Sequence, residues 1–470
     1  MALGKRDGER QDDLWIPTDQ VVQGPGHPFY RRLNQVLSEA GFDRFVEGRC
    51  AKFYADKGRP GIPPGVYFRM HFIGYFEGID SERGIAWRCA DSLGLREFLG
   101  YPLTRSTPDH SSLSVIRRRI DLETHQEVFD FVLALLKDKG LVSGETVGID
   151  ATTLEANAAL RSIVRRDTGE KYQEFLERLA KESGITTPTR EDLARIDRER
   201  KGKGSNDDWM NPNDPDAKIT KMKDGRTHLA HKAEHSVDLD TGATLAVTLQ
   251  PADRGDTTSI GHTLCETMEN LAEASRLDAA PLVVREVVAD KGYHSNDVAA
   301  DLKEAGIRTY ISEPRRKGRR HWKDKERARD AVYANRRRIR GDRGKRLLRR
   351  RGELLERPFA HHYDTGGMRR THLRTHAKIL KRLLVHSAGC NLGLLMRTLV
   401  GIGKPRRLQD GVAGLAAAFT DALWSLLMFL TALWHDPRRI RSQFLPLPVV
   451  TPAAARNHPT SEKGRFSTGC

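Results

Sequence analysis

Two carboxylates in this chain stand where apolar strands run out. Residues 284–298, VREVVADKGYHSNDV, pass through Val284, Val287, Val288 and Ala289 into Asp290, and Ser295 then offers an N-cap to a helical pattern. Residues 146–156, TVGIDATTLEA, deliver Asp150 in the same way. A single aspartate at a strand tip is ordinarily a turn residue. Two of them are more informative: on neighbouring strands they converge at one edge of the sheet, where they repel unless a cation lies between them. Mg²⁺ prefers carboxylate oxygens and water, so the pair makes a platform for it. A third acid from a helix would complete such a site, and RRRGELLERPFAHHYDTGG (349–367) places Arg349, Glu353, Glu356 and Ala360 on one helical face. Glu356 is the candidate and Glu353 the reserve. By spacing alone, a surface ion pair with the local arginines is the better reading for either glutamate.

The elements around these acids predict a helical front followed by a mixed α/β sheet. FYRRLNQVLSEAGFDRFVEG (29–48) and LETHQEVFDFVLALLKDKG (122–140) carry helix-period apolar faces. Between them, RSTPDHSSLSVIRRRI (105–120) offers Thr107 as N-cap with Pro108 at the first helical position. Arg117 and Arg118 crowd the end of that helix, and the segment fits a helix-turn-helix-like DNA module as well as an ordinary helical domain. From residue 146 the pattern reads strand, hairpin (227–252, turning at Thr241-Gly242), helix, strand, helix, strand, with helices on the sheet's faces. Residues 161–225 are polar and read as an insertion. The expected domains are therefore 1–145, helical and DNA-binding; 146–400, catalytic; and 401–470, a C-terminal helix and a disordered Pro/Ala/Thr-rich tail.

The charge balance points to a polyanionic partner. The 470 residues carry 79 Lys+Arg against 63 Asp+Glu, a net charge of +16. Residues 313–351 hold 19 basic and 5 acidic residues, so 19 − 5 = +14 of that excess is local, with Trp322 and Tyr333 interleaved. Such concentration predicts a surface that tracks phosphates, with Arg336, Arg337, Arg338, Arg349 and Arg350 as its contacts. The five cysteines are scattered and form no CxxC pair, which fits a reducing compartment. No apolar leader is visible at the N-terminus. The apolar stretch 411–434 is interrupted by Asp421 and reads as a core or partner-facing helix, not as a membrane span.

The motifs GIDATTLEANA, ADKGYHSND and ELLERPFAHHYDTGGMRRTHLRTH together resemble the DDE transposases of bacterial insertion sequences, over roughly residues 15–400. The front, including TPDHSSLSVIRRRI, resembles the N-terminal domain of one branch of that group. The resemblance implies a ribonuclease-H-like catalytic core whose three acids match Asp150, Asp290 and Glu356. It implies cleavage at transposon ends and strand transfer into target DNA, in the bacterial cytoplasm at the nucleoid, by a homodimer acting on double-stranded DNA. Two divalent ions, Mg²⁺ or Mn²⁺, on three carboxylates can activate a water or a 3′-hydroxyl and stabilise the oxygen leaving phosphorus. Phosphoryl transfer then needs positioning and charge neutralisation, not a side-chain nucleophile. Lys291 and Tyr293, beside the second aspartate, and Arg369 and Arg370, after a Gly-Gly turn, are expected to contact DNA. Many relatives carry Lys or Arg seven residues after the glutamate, where this chain has Tyr363, and some carry Arg four residues before it, where this chain has Gly352.

His372, His376, His386 and Cys390 are spaced as two i, i+4 pairs, which also suits zinc. His361 and His362 are expected on the DNA side of the active-site helix. Two alternatives remain open at this stage: a metal-dependent nuclease without strand transfer, and a catalytically inert DNA-binding derivative.

Overall fold

The computed structural model describes residues 27–405, apart from 56, 59, 60, 201–203, 223 and 316–319. The apolar stretch 411–434 and the tail beyond it lie outside the described residues.

Seven helices come first: α1 (Pro28–Glu39), α2 (Phe42–Cys50), α3 (Pro64–Glu77), α4 (Glu82–Asp91), α5 (Leu93–Leu99), α6 (His110–Arg119) and α7 (Leu122–Asp138). The single helix expected over 29–48 is two, because Gly41 takes a left-handed φ of 72° and breaks it. Helix α6 starts two residues later than expected. Asp109, not Thr107, is its N-cap, accepting a hydrogen bond from Ser112 N at 2.8 Å. Helix α3 is the hub of this front, with every residue from Pro64 to Phe76 buried. Apart from Arg69, which pairs with Asp43, and His71, its residues up to Phe76 are uncharged and mostly apolar on every side, which is what lets neighbours cover it all round.

The sheet opens with β1 (Thr146–Glu155). A folded excursion follows, comprising β2 (Val164–Arg165), α8 (Tyr172–Glu182), α9 (Arg190–Glu199), β3 (Trp209–Met210) and β4 (Lys218–Lys221). The chain then runs through β5 (Thr227–Asp238), β6 (Thr244–Pro251), α10 (Asp256–Ala274), β7 (Glu286–Ala289), α11 (Asn296–Glu304), β8 (Arg308–Ile311), α12 (Glu326–Arg340), α13 (Asp342–Phe359) and α14 (His376–Val400). Strand β5 pairs antiparallel with β1 on one side and with β4 and β6 on the other. On the other side of β1 lie β7 and then β8, both parallel to it. A mixed sheet with three antiparallel strands leading into two parallel ones is a ribonuclease-H-like arrangement, as expected. The 161–225 segment builds its own small core, in which Trp209 sits between Phe175, Leu176 and Ile163.

Helix α14 joins front and sheet. It packs on α7, β6 and α3, and one continuous core runs from Phe29 through Val147 and Ile149 to Met396. The helix is long and apolar enough to cross a membrane, yet most of it is buried inside this fold. Its small residues permit the approach to α3: a Cβ on Gly389 would lie 2.8 Å from the Tyr75 ring. That contact also disposes of the zinc spacing. His386 and Cys390 are packed against Tyr75, His376 stacks on His231, and His372 pairs with Asp80. The second pair, on α14, serves a helix crossing, while His372, ahead of that helix, and His376, at its start, are engaged elsewhere.

Candidate active site

Strand register brings the two aspartates together. Ile149 is the parallel partner of Ala289, so Asp150, within β1 and not at its expected end, and Asp290, just past β7, stand at the same level on adjacent strands. Asp290 ends its strand and caps the following turn, its Oδ1 accepting from Gly292 N at 2.7 Å. Asp150 sits in mid-strand opposite His235 and projects toward α13. Burial raises the Asp150 carboxyl above its usual range, Arg351 pulls it back, and the nearby Asp290 charge raises it again. The two carboxylates therefore feel each other, which is the condition for sharing a cation.

Helix α13 lies against β1. Leu355 packs on Gly148, where a Cβ would meet Leu355 at 3.1 Å. From the same helix Arg351 Nη1 donates to Asp150 Oδ2 at 3.0 Å, with the Arg351 side chain only 16% exposed. Glu353 and Glu356 are both exposed, but their surroundings differ. Glu353 is tied to Arg357 at 2.6 Å. Glu356 has no ion pair among the described residues, an uncompensated carboxylate on a strongly basic helix.

Oxygen donors from aspartate and glutamate are the ligands that hard divalent cations select. The Asp150–Asp290 pair meets that requirement. Among the described residues, no three acidic, histidine or cysteine side chains are grouped closely enough to enclose an ion. Arg351 supplies the positive charge beside Asp150 in this arrangement.

Behind the pair lies a buried polar network that the sequence did not announce. Glu234, fully buried on β5, accepts from Tyr293 Oη at 2.8 Å and from Ser259 Oγ at 2.8 Å, and Thr263 Oγ1 also donates to it. Lys232 reaches Asp256 at 2.6 Å and Ser259 at 2.9 Å. The network clamps the first turn of α10 against the Asp290 turn. An added Cβ on Gly292 would meet Asp256 Oδ2 at 2.5 Å and Asp290 Oδ1 at 3.0 Å. The signal available in the sequence was the alternation of Lys232, Glu234 and Ser236 in β5, polar residues on a face facing Ser259, Thr263 and Thr267 of α10.

The structure redistributes the expected DNA contacts. Tyr293 is 1% exposed and bound to Glu234, so it braces the turn and does not face DNA. Arg117 is turned inward onto Glu82, whereas Arg118 is exposed. Arg336 forms a fork with Glu313, and Arg338 bonds to Thr309. Those three arginines are occupied by folding contacts. Arg350 donates to the Asp240 carbonyl at 2.8 Å but stays exposed. Arg369 pairs with Asp364 and reaches Thr152, while exposed Arg370 lies 3.7 Å from Glu155. Lys291 is exposed. Arg337, Arg340, Arg346 and Arg349 are also exposed, with no ion pair among the described residues. The aromatic residues of the basic segment are used internally, Trp322 under Arg320 and Tyr333 under Arg336.

After Glu356, Pro358 and a wider π-helical turn (Ala360–Thr365) carry the chain back into the core. His362 and Tyr363 are buried there, and His235 bonds to the Tyr363 hydroxyl. His362 therefore does not face DNA. Tyr363 fills a core position where a charged residue would be costly.

Two family models match the chain. One, described as Transposase DDE domain, covers residues 149–392, and the other, Transposase domain (DUF772), covers residues 17–119. No curated protein and no solved structure matches.

Proposed function

This chain belongs to the DDE transposases, and on that premise we propose that it cuts DNA at the ends of its insertion sequence and joins the freed 3′-ends to target DNA, with Asp150, Asp290 and Glu356 as the catalytic acids. The observation that carries this reading is the register of β1 and β7, which sets Asp150 and Asp290 side by side within each other's field. Glu356 is preferred over Glu353 because it is the uncommitted glutamate of the pair, Glu353 being held by Arg357.

Mg²⁺ or Mn²⁺, two ions for the full reaction, would supply a nucleophilic oxygen at neutral pH and charge neutralisation at phosphorus. The chain's own residues do the positioning. Asp290 is held by its turn and by the Tyr293–Glu234 brace behind it. Arg351 offsets the Asp150 charge and is placed to yield that carboxylate when a stronger cation arrives. Arg337, Arg340, Arg346, Arg349 and Lys291 offer exposed cations for the DNA backbone, and Arg370, exposed beside Glu155, adds another. The substrates are the terminal inverted repeats and a target duplex, and a homodimer that holds two ends together suits the joining step.

A duplex carrying one transposon end with its flanking DNA, incubated with supercoiled target and Mg²⁺, tests this reading. Covalently joined product is expected. Cleaved ends without joined product would leave a nuclease, and binding without cleavage an inert derivative.

A further inference from the structure

A cavity of about 250 Å³ opens between the helical front and the start of α14, and neither Asp150 nor Asp290 lines it. Its walls come from α3, α4, α6 and α14 and hold three cations, Arg117, Lys381 and Arg382. Arg382 Nη2, Arg117 Nε and His71 Nε2 are all shielded from solvent and have no hydrogen-bond partner. Lys381 spends its ammonium on two uncharged acceptors, the carbonyls of Arg117 and Ile120, so its charge is unmatched. Two acids also line the cavity. Glu82 is committed to Arg117, and Asp80 lies 3.4 Å from His372.

Buried donors in folded proteins are almost always satisfied, and a buried charge is ordinarily paired. Here three orphaned N–H or ring nitrogens and two under-compensated cations share one cavity. Burial pushes the Arg382 guanidinium down to about 10, against the pull of Asp80. A guanidinium fork, a second arginine and a lysine form the donor set that binds phosphate oxygens, because the fork meets two oxygens at once. A smaller neighbouring depression shares Arg382 and His372 and leads to exposed Arg370. Arg370 in turn bridges to Glu155 at the end of β1, the strand that carries Asp150. A basic path thus runs from the catalytic strand to the cavity.

We propose that this cavity is a phosphate-binding site, and that its occupant is a backbone phosphate of the transposon-end DNA that the catalytic strand engages. Occupancy would tie the helical front to the catalytic sheet on a common ligand. The identification of the phosphate with DNA rests on the transposase reading; the phosphate chemistry does not.

The test uses the full chain without divalent metal. Melting is measured in inorganic phosphate and in chloride at matched ionic strength, for wild type and Arg382→Gln. End-duplex binding is then measured across a salt series for both proteins. Phosphate is expected to raise the wild-type melting temperature above the chloride value and to leave Arg382→Gln unmoved. In chloride Arg382→Gln should melt no lower than wild type, because it removes an unpaired buried charge, whereas loss of a merely structural arginine would lower it. Arg382→Gln should also flatten the DNA salt dependence by about one phosphate, a slope change of about 0.9. Phosphate stabilisation with an unchanged DNA slope would move the site to a free phosphate ligand and overturn the DNA assignment while leaving the transposase reading intact. A slope change without phosphate stabilisation would fix the occupant as DNA. Neither effect, or equal phosphate stabilisation of both proteins, would overturn the site.

Discussion

Gly292→Ala isolates the geometry of Asp290 from its chemistry. The substitution leaves every carboxylate in place, and the Gly292 backbone is not left-handed, so alanine meets no conformational penalty there. Its Cβ, however, would stand 2.5 Å from Asp256 Oδ2 and 3.0 Å from Asp290 Oδ1. Ordinary contact begins at 3.4 Å, so the first pair must open by 3.4 − 2.5 = 0.9 Å. Asp256 cannot simply swing aside, because Lys232 holds its other oxygen at 2.6 Å. Asp290 Oδ1 must itself give by 3.4 − 3.0 = 0.4 Å, and its turn takes a share of the Asp256 strain besides. Overpacking of this kind costs about 1–3 kcal/mol of stability, which a chain with so extensive a core can absorb. A displacement near 1 Å at a reacting centre costs about 100-fold in rate. Single-turnover cleavage of a labelled end duplex with Mg²⁺, beside a melting curve and a binding isotherm, separates these effects. The expected result is a folded, DNA-binding protein whose cleavage is slowed about 100-fold. A folded Gly292→Ala protein that cleaves within about threefold of wild type would refute the placement of Asp290 in the reacting geometry.

Three further outcomes follow from the charges. Arg351→Gln removes the cation beside Asp150; Mn²⁺ binding followed by calorimetry without DNA should tighten by up to about tenfold, in line with the small worth of a partly exposed pair, and weaker binding would contradict a displaceable counter-ion. Burial pushes His125 and His362 down to about 4 from 6.5, and lowers His71, His235 and His386 as well. The unfolded chain takes up these protons below pH 6.5 and the folded chain does not until about pH 4, so stability should fall across that window, by about 3 kcal/mol for each of His125 and His362 at its lower end; urea midpoints that stay flat from pH 6.5 to 4.5 would contradict this. Asp130 is pushed up to about 7, chiefly by burial and then by Glu266 and other acids, against a hydrogen bond from Gln126. Its ionised form strains the fold above that pH, so Asp130→Asn should stabilise the protein at pH 8, by at most about 4 kcal/mol, and much less at pH 5; equal effects at both pH values would be inconsistent with the shift.

What the sequence disclosed and what it hid divide along physical lines. Strands β1 and β7 were legible because apolar runs end in aspartate, and Ser295 was legible as a cap because its hydroxyl acts locally, on Val298 N. The hairpin turn at Gly242 was legible for the same reason, through a glycine at φ 84°. Tyr293 was misjudged because its partner, Glu234, lies 59 residues away on another strand. The basic segment showed its charge but not its pairings: Glu313 takes up both Arg320 and Arg336, and Glu286 takes up Arg308 and Arg343, through contacts that composition does not encode. Arg351, the cation bonded to Asp150, was one basic residue among nineteen until α13 was seen to lie across β1. The two glutamates look alike in the sequence and differ in the structure by one exposed i, i+4 contact, Glu353 with Arg357.

The most direct measurement is Mg²⁺-dependent cleavage and joining of a labelled terminal-repeat duplex by wild type, Asp150→Asn, Asp290→Asn, Glu356→Gln and Glu353→Gln, with duplex binding measured in parallel. The account predicts that the first three variants bind DNA and neither cut nor join it, while Glu353→Gln does both. Activity that survives in Asp150→Asn or Asp290→Asn would contradict the paired carboxylates, and activity lost in Glu353→Gln but kept in Glu356→Gln would move the third acid one turn back along α13.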